Sequence, residues 1–256
     1  VRRREHLRFT GRTLAATVSK QADGWYVAIL VDTADCLSGP LHRGTVGVDL
    51  GIKELATLST GEVIPSLKPH RAAHARLVRL SRSLSRKQKG SSNRAKAKTK
   101  LAKLHKRIAD IRTDALHRLT TKLATEFDTI AIEDLNVAGM LRNRCLARSI
   151  ADAGFSEFRR QLEYKAVMTG AHVHVVDRFF PSSKTCHSCG TIHPMKLSDR
   201  VMVCDCGMVL DRDLNAAMNL KQHAASSAVS ACGEESSGSG RKTGTKLASM
   251  KQEVEV

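Results

Sequence analysis

The sequence predicts an α/β chain built around an open mixed sheet, with a small cysteine-rich module set in late. Three observations carry that reading. The elements come in the order three strands, helical hairpin, strand, helix, strand, insert and helix. Short apolar runs end on an acid. Four of the seven cysteines crowd into residues 186–206. At 256 residues the chain is long enough for one large or two small domains.

Residues 12–32, "RTLAATVSKQADGWYVAILVD", read as two strands around the turn signal Ala22-Asp23-Gly24. The stretch "TVGVDLGIKELATLSTGEVI" at 45–64 reads as a buried strand ending at Asp49, a strand through Leu58, a tight turn at Thr60-Gly61 and a third strand. From 70 to 126 the period becomes helical, with Leu77, Leu80 and Leu84, then Leu101, Leu104, Ile108 and Ile111 after the break "GSSN". That pattern predicts a helical hairpin. "DTIAIEDLNV" at 128–137 is a short buried strand carrying Glu133 at its end, followed by the basic stretch "MLRNRCLARS". A helix is expected over 156–169 with Phe158, Leu162 and Ala166 inward, and "HVHVVD" at 172–177 forms another strand. The cysteine-rich insert takes 179–209 and a helix follows over 214–223. Residues 224–256, Ser/Gly-rich and without apolar period, are expected to be a disordered tail.

Charge is the loudest bulk property: 42 Lys+Arg against 25 Asp+Glu, a net +17. Such an excess favours a polyanionic partner, nucleic acid first and an anionic membrane surface second. Fourteen Lys/Arg and no acid fall within residues 71–107. A solvated helix face normally mixes signs to gain i,i+4 pairs, whereas a one-sided face repels itself until something anionic compensates. Phosphate contact is therefore expected of Arg76, Arg79, Arg82, Lys96 and Lys100. No apolar run reaches the roughly 18 residues of a membrane span, and "VRRREHLRFT" has no apolar core of a signal peptide. The expectation is a cytoplasmic protein with no membrane partner. Residue 1 is Val, which fits an alternative start codon or a chain beginning inside a longer protein.

The cysteines run Cys186-x2-Cys189, fourteen residues, then Cys204-x-Cys206, close to a zinc-ribbon pattern. Gly190 and Gly207 follow each pair, where a metal knuckle needs a residue tolerant of positive φ. The second pair is one residue short of the usual form, which leaves His187 and His193 as substitute ligands. Four protein ligands leave no open position, so Zn2+ here would be structural. Cys36, Cys145 and Cys232 read as ordinary thiols.

Asp49, Glu133 and Asp213 each sit at a strand end or a helix start. Any one of them reads equally well as a cap or a surface acid. If the three converge, they repel one another until divalent cations neutralise them, and paired Mg2+ ions then activate water and stabilise a leaving oxygen. Asp213 directly precedes "LNAAMNL" and reads as an N-cap; Asp211 reads as a local cap or salt-bridge acid and Asp134 as a surface acid. A P-loop and a Gly-x-Ser-x-Gly elbow are both missing from the sequence.

Five ordered blocks, "VGVDLGIKELATLSTGE", "IAIEDLNVAGM", "FSEFRRQLEYKA", "VVDRFFPSSKTCHSCG" and "CDCGMVLDRDLNAAMNL", together resemble the TnpB/OrfB proteins of bacterial insertion sequences. These are relatives of the compact type V CRISPR effectors, and the resemblance runs over about residues 12–223. It implies an RNase H-like (RuvC) nuclease domain, split in sequence, with a zinc ribbon inserted before its third acid. By that likeness Asp49, Glu133 and Asp213 are the catalytic Mg2+ ligands, and Cys186, Cys189, Cys204 and Cys206 the zinc ligands. It implies guide RNA and target DNA as partners, Mg2+-dependent DNA cleavage, and a bacterial, nucleoid-associated setting. The domain layout expected is a remnant of a β-rich wedge domain (1–43), nuclease domain (44–178, with the basic hairpin 70–126), zinc ribbon (179–209), nuclease domain again (210–223) and tail (224–256). Family proteins normally begin with a helical recognition domain and a full wedge; here only the wedge's end is recognisable. A guide-dependent regulator that does not cut, and a transposase that joins DNA ends, are the rival expectations.

Overall fold

The computed structural model describes residues 11–33, 44–196, 198–232 and 252–255. The elements begin with β1 (Arg12–Lys20), β2 (Trp25–Asp32), β3 (Thr45–Leu50), β4 (Glu54–Leu58), β5 (Val63–Pro65), α1 (Pro69–Ser85) and α2 (Ser92–Glu126). They continue with β6 (Thr129–Glu133), α3 (Val137–Leu141), α4 (Ala147–Ala153), α5 (Phe155–Thr169) and β7 (His172–Val176). Last come β8 (Val201–Val203), β9 (Val209–Asp211), α6 (Arg212–Cys232) and β10 (Gln252–Glu255). Two compact units divide them: one has β1, β2, β10 and residues 73–109, the other residues 44–72 and 110–232.

The second unit is organised by a five-stranded sheet in the order β5-β4-β3-β6-β7. β4 runs antiparallel to β3 and β5, while β3, β6 and β7 are parallel, so the mixed sheet predicted from the sequence is present. Central parallel strands are covered on both faces and need near-continuous apolar runs, which "VGV" and "IAI" supply. Val46, Val48, Ile130 and Ile132 point into the main core with Leu116, Leu119 and Leu123 of α2 and Phe155, Phe158 and Leu162 of α5.

The opposite face is lined by small residues. Gly47 and Ala131 lie side by side in the β3/β6 register, and α6 packs over them. A Cβ at Gly47 would stand 1.9 Å from the Ala217 carbonyl oxygen and 2.7 Å from the Lys221 nitrogen. Glycine is therefore what allows α6 to approach β3 this closely. Leu220 and Ala224 close this side against Ala131, Val176 and Phe180.

In the first unit β1 and β2 make the predicted hairpin, closed by Gln21 N donating to Gly24 O at 2.8 Å. The helical hairpin forms as predicted, with Leu77, Leu104 and Ile108 buried together. Arg94 donates to the carbonyls of Leu84 (2.8 Å), in the last turn of α1, and Lys87 (3.0 Å), just beyond it, which ties the two helices together at the turn.

Two expectations change. The hairpin was expected to belong wholly to the nuclease domain, yet residues 73–109 group with the β-hairpin. Lys106 explains part of this: its ammonium lies 4.6 Å above the Tyr26 ring and 3.7 Å from Asp23. The basic stretch after β6 runs from the end of α3 through turns at 142–146 into α4. Asn136 caps α3 by accepting from Gly139 N at 3.0 Å, and Gly154, at φ 74°, turns α4 into α5. Residues 224–232, expected to belong to the tail, instead continue α6 to Cys232 through an Ala/Ser run that includes the buried Ala224, and Gln252–Glu255 form β10, which pairs with β2. The rest of the tail expected at 224–256, Cys36 and most of the 1–43 segment outside the hairpin lie outside the described residues.

Candidate acid site and cysteine cluster

The β3/β6 register pairs Gly47 with Ala131 and Val48 with Ile132. One step further along each strand stand Asp49 and Glu133. Side chains alternate with period 2, so these acids follow Gly47 and Ala131 onto the face that α6 covers. Asp213 lies in the first turn of α6. The Asp49 carboxyl is held well above the usual carboxylate range by burial, then by Glu133 and Asp213, with Arg212 pulling the other way. Three acids from separate parts of the chain thus act on one another.

Each has its own support. The Ser182 hydroxyl donates to Glu133 Oε1, and the Arg212 guanidinium lies 3.4 Å from Asp213 Oδ1. Of the two residues read as caps, Asp211 does the capping and Asp213 does not. Asp211 Oδ1 accepts from Asp213 N (2.9 Å) and Leu214 N (3.2 Å), so Asp211 is the N-cap of α6. The helix starts at Arg212, earlier than the sequence pattern suggested, and this leaves the Asp213 carboxylate without capping duty. Asp134, read as a surface acid, joins three segments. It pairs with Arg178 and with Arg159 (2.7 Å), which hold its carboxyl below the usual range, and its N–H donates to Val176 O.

The sulfurs of Cys186, Cys189, Cys204 and Cys206 all lie within 4.8 Å of one another. Cys186 and Cys206 are 3.7 Å apart, Cys189 and Cys204 3.5 Å. Four thiolates around a tetrahedral Zn2+ at about 2.3 Å stand about 3.8 Å apart, so this donor set fits the ion. Both knuckles close as expected. Gly190 N donates to Cys186 O and Gly207 N to Cys204 O, both at 2.9 Å, with φ at 77° and 88°. The sulfurs hold protons unequally. The Thr191 hydroxyl and other hydrogen bonds take the Cys189 thiol down to about 6. At Cys204 the Cys206 backbone N–H favours the thiolate, but burial and the neighbouring thiols outweigh it and push the group up to about 12. His193 Nε2 stands 3.1 Å from Cys204 Sγ, beside the cluster. His70-x-x-x-His74 has the spacing of a helical metal pair, yet among the described residues the cysteines make the tight group of metal-type atoms.

Arg76, Arg79 and Arg82 on α1 and Lys96 and Lys100 on α2 are all exposed, and none has an ion-pair partner among the described residues. Arg79, Arg82, Arg86 and Lys87 line a groove of about 560 Å³ along α1.

Two family models match the chain: OrfB_IS605, described as "Probable transposase", over residues 29–144, and the Cas12f1-like TNB domain over residues 155–220. A Streptomyces pristinaespiralis protein named "Putative RNA-guided DNA endonuclease" is 46% identical over 93% of this chain and 59% of its own length. The chain belongs to the TnpB/OrfB family. Another member, InsQ of Escherichia coli K12, whose printed name is also "Putative RNA-guided DNA endonuclease", is 37% identical over 91% of this chain and 62% of its own length. The chain therefore spans about three fifths of the length of these two relatives. In fold it resembles the Cas12f chain of a CRISPR-Cas12f ternary complex, at TM-score 0.53 and 18% identity over 80% of this chain and 44% of that one. A Cas12f1-sgRNA-target DNA complex gives TM-score 0.54 at 17% identity, over 77% and 45%.

Sequence reasoning missed the residues that join the family's two modules. Asn215 and Asn219, both buried, donate from α6 to the carbonyls of Thr185 (2.7 and 2.6 Å) and Ser182 (2.6 Å). Asn215 Oδ1 also accepts from His187 N at 3.1 Å. The i,i+4 pair of asparagines in "LNAAMNL" was the available signal, since such residues are uncommon on an otherwise apolar helix face. Arg142, Arg144 and Arg148, in the basic run visible in the sequence, are exposed and without ion-pair partners among the described residues.

Proposed function

We propose that this chain carries the catalytic part of an RNA-guided, Mg2+-dependent DNA endonuclease, built on an RNase H-like (RuvC) sheet with a zinc ribbon. The observation that carries the reading is the set of acids at one edge of the sheet. Asp49 and Glu133 lie at the ends of adjacent parallel strands, Asp213 lies in the first turn of the helix laid over them, and burial together with the other two acids raises the Asp49 carboxyl well above the usual carboxylate range. The strand order, with β4 antiparallel beside three parallel strands, supports the RNase H-like assignment.

Asp49, Glu133 and Asp213 would hold Mg2+, which when bound activates water and stabilises the leaving oxygen of a phosphodiester. The residues themselves prepare that place. Burial beside Glu133 and Asp213 makes a charged Asp49 costly, and a divalent cation would offset that cost. Ser182 fixes one oxygen of Glu133 and leaves the other available. The α6 N-terminus favours the Asp213 carboxylate, while Asp211 satisfies the backbone donors there. Cys186, Cys189, Cys204 and Cys206 would hold a structural Zn2+, and the Lys/Arg face of the helical hairpin would contact guide RNA or target DNA phosphates. Action on DNA suits the cytoplasm, and among the described residues no helix is long and apolar enough to cross a membrane.

The test is a Mg2+-dependent cleavage assay on guide-matched DNA, set beside a strand-joining assay. Cleavage without joining is the expected result. Target binding by the chain with no cleavage under any divalent cation favours a guide-dependent regulator, and joining favours a transposase.

A further inference from the structure

Six phenylalanines occur in the sequence, and the described ones divide sharply. Phe127, Phe155 and Phe158 are buried, and Phe180 packs edge-on to His223 with centroids 5.0 Å apart. Phe179 is 85% exposed, more than any other large hydrophobic residue among those described. Burying a phenyl ring is strongly favourable, so a ring left in water beside an acid cluster calls for an occupant.

Its backbone is held in place. Phe179 N donates to Asp177 Oδ1 at 2.8 Å, Phe180 N to Asp177 O at 3.0 Å, and Ser182 N to Phe180 O at 2.8 Å. Neither sequence neighbour is available for the same task, because Arg178 is paired with Asp134 and Phe180 faces inward. The turn leaves β7 where Val176 pairs with Glu133, and it ends at Ser182, whose hydroxyl touches Glu133. Three residues of chain span at most about 11 Å, so the ring is anchored close to the acids.

We propose that Phe179 is a stacking platform for one base of the single strand whose phosphodiester lies at Asp49, Glu133 and Asp213. This rests on the nuclease reading above. A nucleic-acid base is the occupant that fits best. Every base offers a π-face whatever its identity, the chain carries a net +17, and the turn adjoins the acid cluster. The ring would set the position of a nucleotide beside the scissile one without selecting its sequence.

The experiment uses the 256-residue chain in Ca2+ with single-stranded DNA of mixed sequence, 2-aminopurine being placed at each position in turn. Stacking on an aromatic ring quenches that fluorophore. The unsubstituted chain and Phe179→Trp should quench one position. Phe179→Ala and Phe179→Leu should lose that quench and bind roughly ten- to a hundredfold more weakly, the range set by a single base–aromatic stack. Thermal unfolding should not change among these variants, because the ring is exposed. Equal quench and affinity in Phe179→Ala overturn the proposal. So does Phe179→Leu binding like the unsubstituted chain, which would mark an apolar contact for a protein segment. If the unsubstituted chain binds no single strand at all, the nuclease reading falls with it; if it binds and cleaves but quenches nowhere, only the platform is lost.

Discussion

The cysteine cluster and the acid cluster lie in the same compact unit but are built on different scales. Residues 186–206 supply all four sulfurs, and two glycine-closed turns point them inward. The acids come from residues 49, 133 and 213 and are brought into one another's electrostatic influence because two strands pair in one register and a helix lies over a glycine. A local cluster depends on turn chemistry. A distributed one depends on the whole sheet and on how closely α6 can approach it. The two should therefore fail for different reasons.

The largest effect is expected at Asp49. Asp49→Ala should lower Mg2+-dependent cleavage by three orders of magnitude or more in a single-turnover assay, since water activation and leaving-group stabilisation are lost together. Zinc content should be unchanged. Asp211→Ala is the control: it removes an N-cap worth about 1 kcal/mol and should leave the cleavage rate within a few fold. Cleavage by Asp49→Ala at the rate of the unsubstituted chain would falsify the acid assignment.

Next comes Cys204→Ser, which should take bound zinc from about one per chain to near none by metal analysis. Retention of the metal in this variant would promote His193, which stands beside Cys204, to ligand.

Gly47→Ala separates the two clusters most cleanly. Its Cβ would collide with the backbone of α6, so unfolding by urea should reveal a loss of about 3 kcal/mol and cleavage should fall although no acid has changed. Zinc stoichiometry should persist. Wild-type stability in this variant would mean that α6 does not lie against β3.

Neutralising Arg76, Arg79, Arg82, Lys96 and Lys100 singly should weaken nucleic-acid binding and flatten its salt dependence by roughly 0.7–0.9 in log–log slope per lost contact. An unaltered slope would make this face merely solvated.

The smallest effect belongs to the scaffold on the other side of the sheet. The Lys165 ammonium donates to His117 O, Thr120 Oγ1 and Thr121 Oγ1, each at 2.8 Å, and burial takes it down from 10.5 to about 8. Between those values the unfolded chain binds more protons, so stability should rise as pH climbs from about 8 to 10.5. Half-exposure limits the gain to roughly 1 kcal/mol. Lys165→Met should remove that rise in denaturation curves at pH 8 and pH 10; an undiminished rise would assign it to other groups.

Much of this architecture was legible in the chain. Apolar runs too short for helices marked β3 and β6, the heptad-like leucines marked the hairpin, and the spacing of Cys186, Cys189, Cys204 and Cys206 announced a cluster. Each is a local pattern, set by backbone period or turn geometry within a few residues. Assignments between near neighbours were less secure. Asp211 and Asp213 are both plausible caps in one dimension, and only the starting residue of α6 separates them.

The sequence by itself thus determined the residue types, the sheet-forming segments and the cysteine knuckles. The tertiary structure alone decided that Asp49 and Glu133 share a face, that Gly47 admits α6, that Asn215 and Asn219 tie Ser182 and Thr185, beside the cysteine cluster, to that helix, and that residues 73–109 group with the β-hairpin. The physical reason is range. Strand register and helix approach are fixed by packing between segments scores of residues apart, and no local preference encodes the distance at which two such segments meet.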